Sequence, residues 1–107
     1  MTEEQPLISV AFQAFMQEAP GHSKVWGEMV QGLSAASALD KKTSALAYLS
    51  VLAAVGLQSG VPFHARAARE NGASREEVIS AVLLGLPAAG HGVTRSLPAA
   101  LEAYDGS

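Results

Sequence analysis

The sequence predicts an all-α protein, a compact bundle of about six helices that assembles with copies of itself. Apolar residues recur at helical spacing along most of the chain, and no stretch alternates with the period of two that marks a half-buried strand. Helix starts and stops punctuate these stripes, as at Asp40, Pro62, Gly72 and Ser74. Hydrophobic residues make up 49% of the chain and aromatic residues only 6%. Alanine fills the difference, which suits helices packed closely and a face buried against another copy. The 107 residues suffice for one domain, 1–107, with a modest core.

Residues Met1 to Gln5 are expected to fray. Pro6 suits the first turn of a helix running to about Glu18, with Leu7, Ile8, Ala11, Phe12, Phe15 and Met16 as its apolar positions. Pro20 and Gly21 break it. A second helix is expected from about Ser23, its N-cap, to Ser34, burying Val25, Trp26, Met29, Val30 and Leu33. Gly27 and Gly32 weaken it or admit a close backbone. His22, just ahead of it, reads as a solvated surface residue.

Ser34 to Leu39 is a connector of small residues. Asp40 is a good N-cap for a third helix reaching about Val55. Lys41 and Lys42 oppose that helix's dipole, so solvent or a partner's acids are expected to hold them. The run TSALAYLSVLAAV is apolar nearly all round, as in a helix buried on most sides. Tyr48 is its one sizeable polar group, and a buried tyrosine finds a hydrogen-bond partner. Gly56 ends this helix, and Leu57 to Gly60 form a short joint.

A fourth helix is expected from about Val61 to Asn71. Spacing places Phe63, His64, Ala67, Ala68 and Asn71 on one inward arc, with Arg66, Arg69 and Glu70 opposite. Pro62 fits its first turn, and Gly72 takes the positive φ that stops it. Ser74 and Glu77 form an S-x-x-E capping box for the next helix. Its stripe is Val78, Ile79, Val82, Leu83 and Leu86, and Pro87 ends it. Gly90-His91-Gly92 is a flexible joint, which serves either as a plain turn or as an anion site built from free N–H groups. The last helix spans Thr94 to Tyr104, interrupted or begun again at Pro98.

A net charge of −3 and a pI near 5.5 leave no basic stripe for phosphates, which argues against nucleic acid as a partner. There is no cysteine, which excludes disulfides, thiolate metal sites and cysteine redox chemistry. Nothing calls for a metal or a cofactor. The start, MTEEQP, is acidic, so no signal peptide is expected. The longest apolar run, Ala45 to Leu57, has 13 residues and is too short to span a bilayer. A soluble cytoplasmic protein without membrane contact is expected.

His64 carries the candidate chemistry. It lies among small neighbours on the apolar arc of its helix. It is either a core histidine bonded to a backbone carbonyl or a proton donor or acceptor facing a ligand, its pKa moved by partial burial.

The segment His64-Ala65-Arg66-Ala67-Ala68, followed by Gly72-Ala73-Ser74-Arg75-Glu76-Glu77-Val78, resembles the carboxymuconolactone decarboxylase family, which includes the D-type alkyl hydroperoxidases. The likeness covers about Leu39 to Leu86. It implies an all-helical fold, assembly into trimers or hexamers, and active sites near subunit contacts. The redox branch carries a glutamate, a C-x-x-C pair and a histidine. Here the glutamate position is Ala45 and the cysteine positions are Leu57 and Gly60, so only His64 remains. Thiol peroxidase chemistry is therefore excluded. The decarboxylase branch also lacks the cysteines and keeps a histidine. That likeness implies a cofactor-free lyase acting on a small organic acid, a lactone acid, with His64 as acid/base. Arg66 or Arg95 would hold the carboxylate or lactone oxygen, and Tyr48 or His91 would add a hydrogen bond. Gln58 and Ser59 would line the same cavity. Arg66 projects away from the His64 arc, so within one subunit it is expected to be solvated and paired with Glu70, serving a site only across an interface. The alternatives are a non-catalytic oligomeric binding protein and a structural remnant of the same fold.

Overall fold

A computed structural model describes residues 8–106. The expected fraying of Met1 to Gln5, and Pro6 and Leu7 of the first expected helix, lie outside them. Every regular element among the described residues is helical. Contacts divide the chain at Asp40 into two units.

The first unit holds α1 (Val10–Glu18) and α2 (Pro20–Ala36). Ser9 opens α1, its hydroxyl accepting the Phe12 N–H at 3.1 Å. The helix therefore starts later than expected. Pro20 does more than stop it: it occupies the first turn of α2, where a missing N–H costs nothing. Ser23 is then inside α2 rather than its cap, and its hydroxyl donates to the Pro20 carbonyl at 3.1 Å. Phe12 and Phe15 meet Trp26 edge-on, with centroids 5.1 and 6.3 Å apart, and tie the two helices together. No residue of either helix is buried. Val25, Trp26, Met29, Val30 and Leu33, expected inside, are all exposed. Two helices share only one seam, and the aromatic cluster takes it. The space beside Gly27 and Gly32 is open, so no other backbone approaches there.

The second unit runs α3 (Lys41–Val55), a 3-10 turn (Gln58–Gly60), α4 (Val61–Glu70), α5 (Arg75–Leu83), α6 (Leu86–Ala89), a second 3-10 turn (His91–Ser96) and α7 (Leu97–Asp105). Across both units, six of the α-helices run nine residues or more. The core lies where α3, α4, α5 and α7 meet, around Leu49, Leu52, Val61, Val78 and Val82. Ala65 and Ala68 of α4 and Ala100 and Ala103 of α7 are buried and small, which lets these two backbones pack closely. The α3 helix is not buried on most sides. Only Leu49, Leu52 and Ala53 are, while Val51 and Val55 face outward, because the other helices of the unit cover one face alone.

The capping box of α5 is complete. The Glu77 N–H donates to the Ser74 hydroxyl at 3.1 Å, and the Ser74 N–H donates to the Glu77 carboxylate at 2.8 Å. Lys42 reaches the same carboxylate at 3.0 Å, so an acid of its own chain holds it rather than solvent or a partner. The Ser74 N–H, and then Lys42, lower the Glu77 pKa. Arg75 grips Asp105 through two hydrogen bonds, 2.9 and 3.0 Å long, and lowers its pKa likewise.

The α5 helix stops at Leu83, and Pro87 sits in the first turn of α6 instead of ending α5. The last α-helix begins at Leu97, with Pro98 in its first turn. Ser50 on α3 donates to the Ala81 carbonyl of α5 at 2.7 Å. Ser96, only 1% exposed, has a hydroxyl with no hydrogen-bond partner among the described residues. An orphaned buried hydroxyl carries its desolvation cost unrepaid. Ser96→Ala is therefore expected to raise stability by up to about 1 kcal/mol, read as a higher denaturation midpoint. A lower midpoint would show that the hydroxyl has a partner in solution.

Candidate functional site

The 3-10 turn at Gln58–Gly60 and Pro62 at the helix start fix where α4 begins, and so place His64 one turn in. The most buried line of α4 is Val61, Ala65 and Ala68, spaced i, i+4, i+7. His64 stands one position beside that line and is half-buried. The expected arc is thus rotated by about one residue step, roughly 100°. Phe63 is 48% exposed and Asn71 is exposed. Spacing cannot fix the arc because α4 carries alanine on both sides, and only the seams with α3 and α7 choose between them.

The Tyr48 ring of α3 lies 4.5 Å from the His64 ring, centroid to centroid, tilted by 55°. Phe63 approaches the same imidazole edge-on at 5.1 Å and 76°. No hydrogen bond to the His64 ring occurs among the described residues, so the carbonyl-bonded core histidine is not what forms. Burial lowers the His64 pKa from its usual 6.5, because desolvation disfavours the charged ring. The ring is therefore mostly neutral at pH 7. Tyr48 is 45% exposed, not the buried tyrosine expected, and its hydroxyl has no partner among the described residues.

The other candidates are placed less tightly. Gln58 and Ser59 are exposed on the turn that leads into α4. Arg66 does not pair with Glu70 in solvent. It is half-buried, and its Nε donates to the Ala103 carbonyl at 3.0 Å, in the α4–α7 seam. Arg69 also turns to that end, donating to the Tyr104 and Gly106 carbonyls. His91 and Arg95 are exposed on the turn His91–Ser96, and no hydrogen bond or ring contact joins either to His64 among the described residues. The expected flexible joint is ordered into that turn, with Thr94 donating to the His91 carbonyl at 2.8 Å.

The structure thus brings together Tyr48, Phe63 and His64. Phe63 is not among the site candidates the sequence offers, although it is the residue next to His64. The positions at which the resemblance would place redox groups carry apolar residues or glycine. Ala45 packs on the core, and a Cβ at Gly60 would meet the Leu52 side chain at 3.4 Å.

A model of the carboxymuconolactone decarboxylase family matches residues 20–103. No curated protein and no solved structure matches the chain.

Proposed function

The chain belongs to the carboxymuconolactone decarboxylase family, and from that premise we propose that it is a cofactor-free lyase that removes carboxylate from a small lactone acid, with His64 as acid/base. The observation that carries this is a half-buried imidazole set against Tyr48, with its nitrogens free of protein hydrogen bonds among the described residues. In such a reaction the carbon–carboxylate bond breaks and carbon dioxide leaves. The electron pair passes onto the conjugated lactone carbonyl, and the carbon then takes a proton. Protonated His64 supplies that proton and is recharged from water. In this reading Arg95 holds the carboxylate, Tyr48 or His91 adds a hydrogen bond to the substrate, and Gln58 and Ser59 line the same cavity.

A second reading is supported by Arg66. Its guanidinium is committed to the Ala103 carbonyl, which leaves one candidate holder of a carboxylate engaged elsewhere. On this reading the protein binds a small acid without turning it over.

Purified protein incubated with a panel of lactone acids separates the two. The lyase releases carbon dioxide, at a rate that falls as pH rises through the His64 pKa, below 6.5. The sign follows because the donor is the charged ring, which the environment disfavours. A raised melting temperature without release supports the binding protein. Neither response sinks both.

The protein works, in this proposal, as a cytoplasmic trimer or hexamer. The exposed stripe of Val25, Met29 and Leu33 on α2 supports assembly, because such a stripe left open invites association. Light scattering at micromolar concentration is expected to give three or six times the 11.0 kDa of one chain. A single-chain mass refutes it.

A further inference from the structure

The chain has six aromatic residues: three phenylalanines, two tyrosines and one tryptophan. Phe12, Phe15 and Trp26 are used on one another. Tyr104 donates its hydroxyl to the Ala73 carbonyl at 2.7 Å and lies under Arg69. The remaining two, Tyr48 and Phe63, both lie on His64, from two different helices, and both are nearly half exposed at 45% and 48%. In a chain so poor in aromatic residues, every ring not spent on the fold is gathered at one imidazole. The arginines of the same helix are drawn off to carbonyls of the α7 end. The ring contacts of the imidazole are then with the two aromatic side chains.

We propose that Tyr48, His64 and Phe63 form a stacking site for a planar aromatic ring that carries a hydroxyl group, the two flanking rings taking its π surface and His64 its hydroxyl. This rests on His64 facing a ligand, as proposed above, but not on turnover of an acid. Offset and edge-on ring pairs add about 0.5–1.5 kcal/mol beyond buried area, or roughly 2- to 12-fold in affinity for each pair. An aliphatic ring of the same size gains the area alone. Phe63 then sets specificity for flat rings over puckered ones.

Titration with 2-naphthol and with its saturated counterpart decahydro-2-naphthol, followed by calorimetry and by the ring signals of Tyr48, Phe63 and His64, tests this. The aromatic alcohol is expected to bind about tenfold more tightly than the saturated one. Phe63→Leu keeps an apolar side chain and removes the ring, so it should lose most of that preference. Tyr48→Leu should do the same, whereas Tyr48→Phe should keep it, a rescue that a merely structural role does not predict. His64→Ala should weaken 2-naphthol several-fold and leave the preference for flat rings. Equal binding of the two alcohols, unchanged preference in Phe63→Leu, or no binding of 2-naphthol overturns the proposal. Loss of self-association in the leucine variants, with 2-naphthol without effect, also overturns it, because a second copy then covers the rings. Release of carbon dioxide from lactone acids is read separately on the same preparation, so the failure of either idea is told apart from that of the other.

Discussion

His64→Ala is expected to lower the turnover of a lactone acid by about 10²- to 10⁴-fold, the range that a positioned proton donor contributes. The melting temperature should move by only a few degrees. The reason lies in where the ring sits. It is half-buried, it makes no hydrogen bond among the described residues, and the fully buried line of α4 runs through Val61, Ala65 and Ala68 beside it. Truncation leaves an opening at the surface rather than a sealed cavity, so the packing loss is modest. One kcal/mol corresponds to about 4–8 °C in a domain near this size. A drop well beyond 10 °C with intact turnover would assign His64 to packing and reject its chemical role. His64→Gln, which can hydrogen-bond but cannot titrate, should be as inactive as alanine.

Leu49→Ala is expected to cost about 2–5 kcal/mol, with the melting temperature falling by roughly 10–25 °C. Leu49 is 0% exposed and belongs to the cluster that joins α3 to α4 and α5, so its removal leaves a closed void. Val51, two residues along the same helix, is 52% exposed. Val51→Ala should change the stability of a single chain by under about 1 kcal/mol. Chemical denaturation of both variants checks the contrast. Equal losses would mean that the outward face of α3 is covered in solution, and the mass of the Val51 variant would then show whether a second copy covers it.

That pair of residues also shows how far the sequence reaches. Local signals located α3, α4 and the start of α5: Gly56 and Gly72, with positive φ, end α3 and α4, and Ser74 with Glu77 opens α5, whereas the end of α5, the short α6 and the start of α7 were not legible. That the chain carries no cysteine is read from composition alone. The inward faces were not legible. In α3 leucine and valine stand on every side, and in α4 alanine does, so periodicity gives no single direction. Spacing puts Phe63 inside, yet it is half open; it puts Arg66 in solvent, yet Arg66 bonds to α7. The stripe on α2 was legible as a stripe, yet nothing in its own unit buries it.

Caps and stops are decided within about four residues, by backbone hydrogen bonds and by a glycine's access to positive φ, and so the sequence by itself determined both ends of α3 and α4 and the start of α5. It also determined that the chain itself supplies no thiol. Which ring meets which, and so the gathering of Tyr48 and Phe63 on His64, was decided only by the tertiary structure, because burial of a helix face depends on what distant helices bring to it.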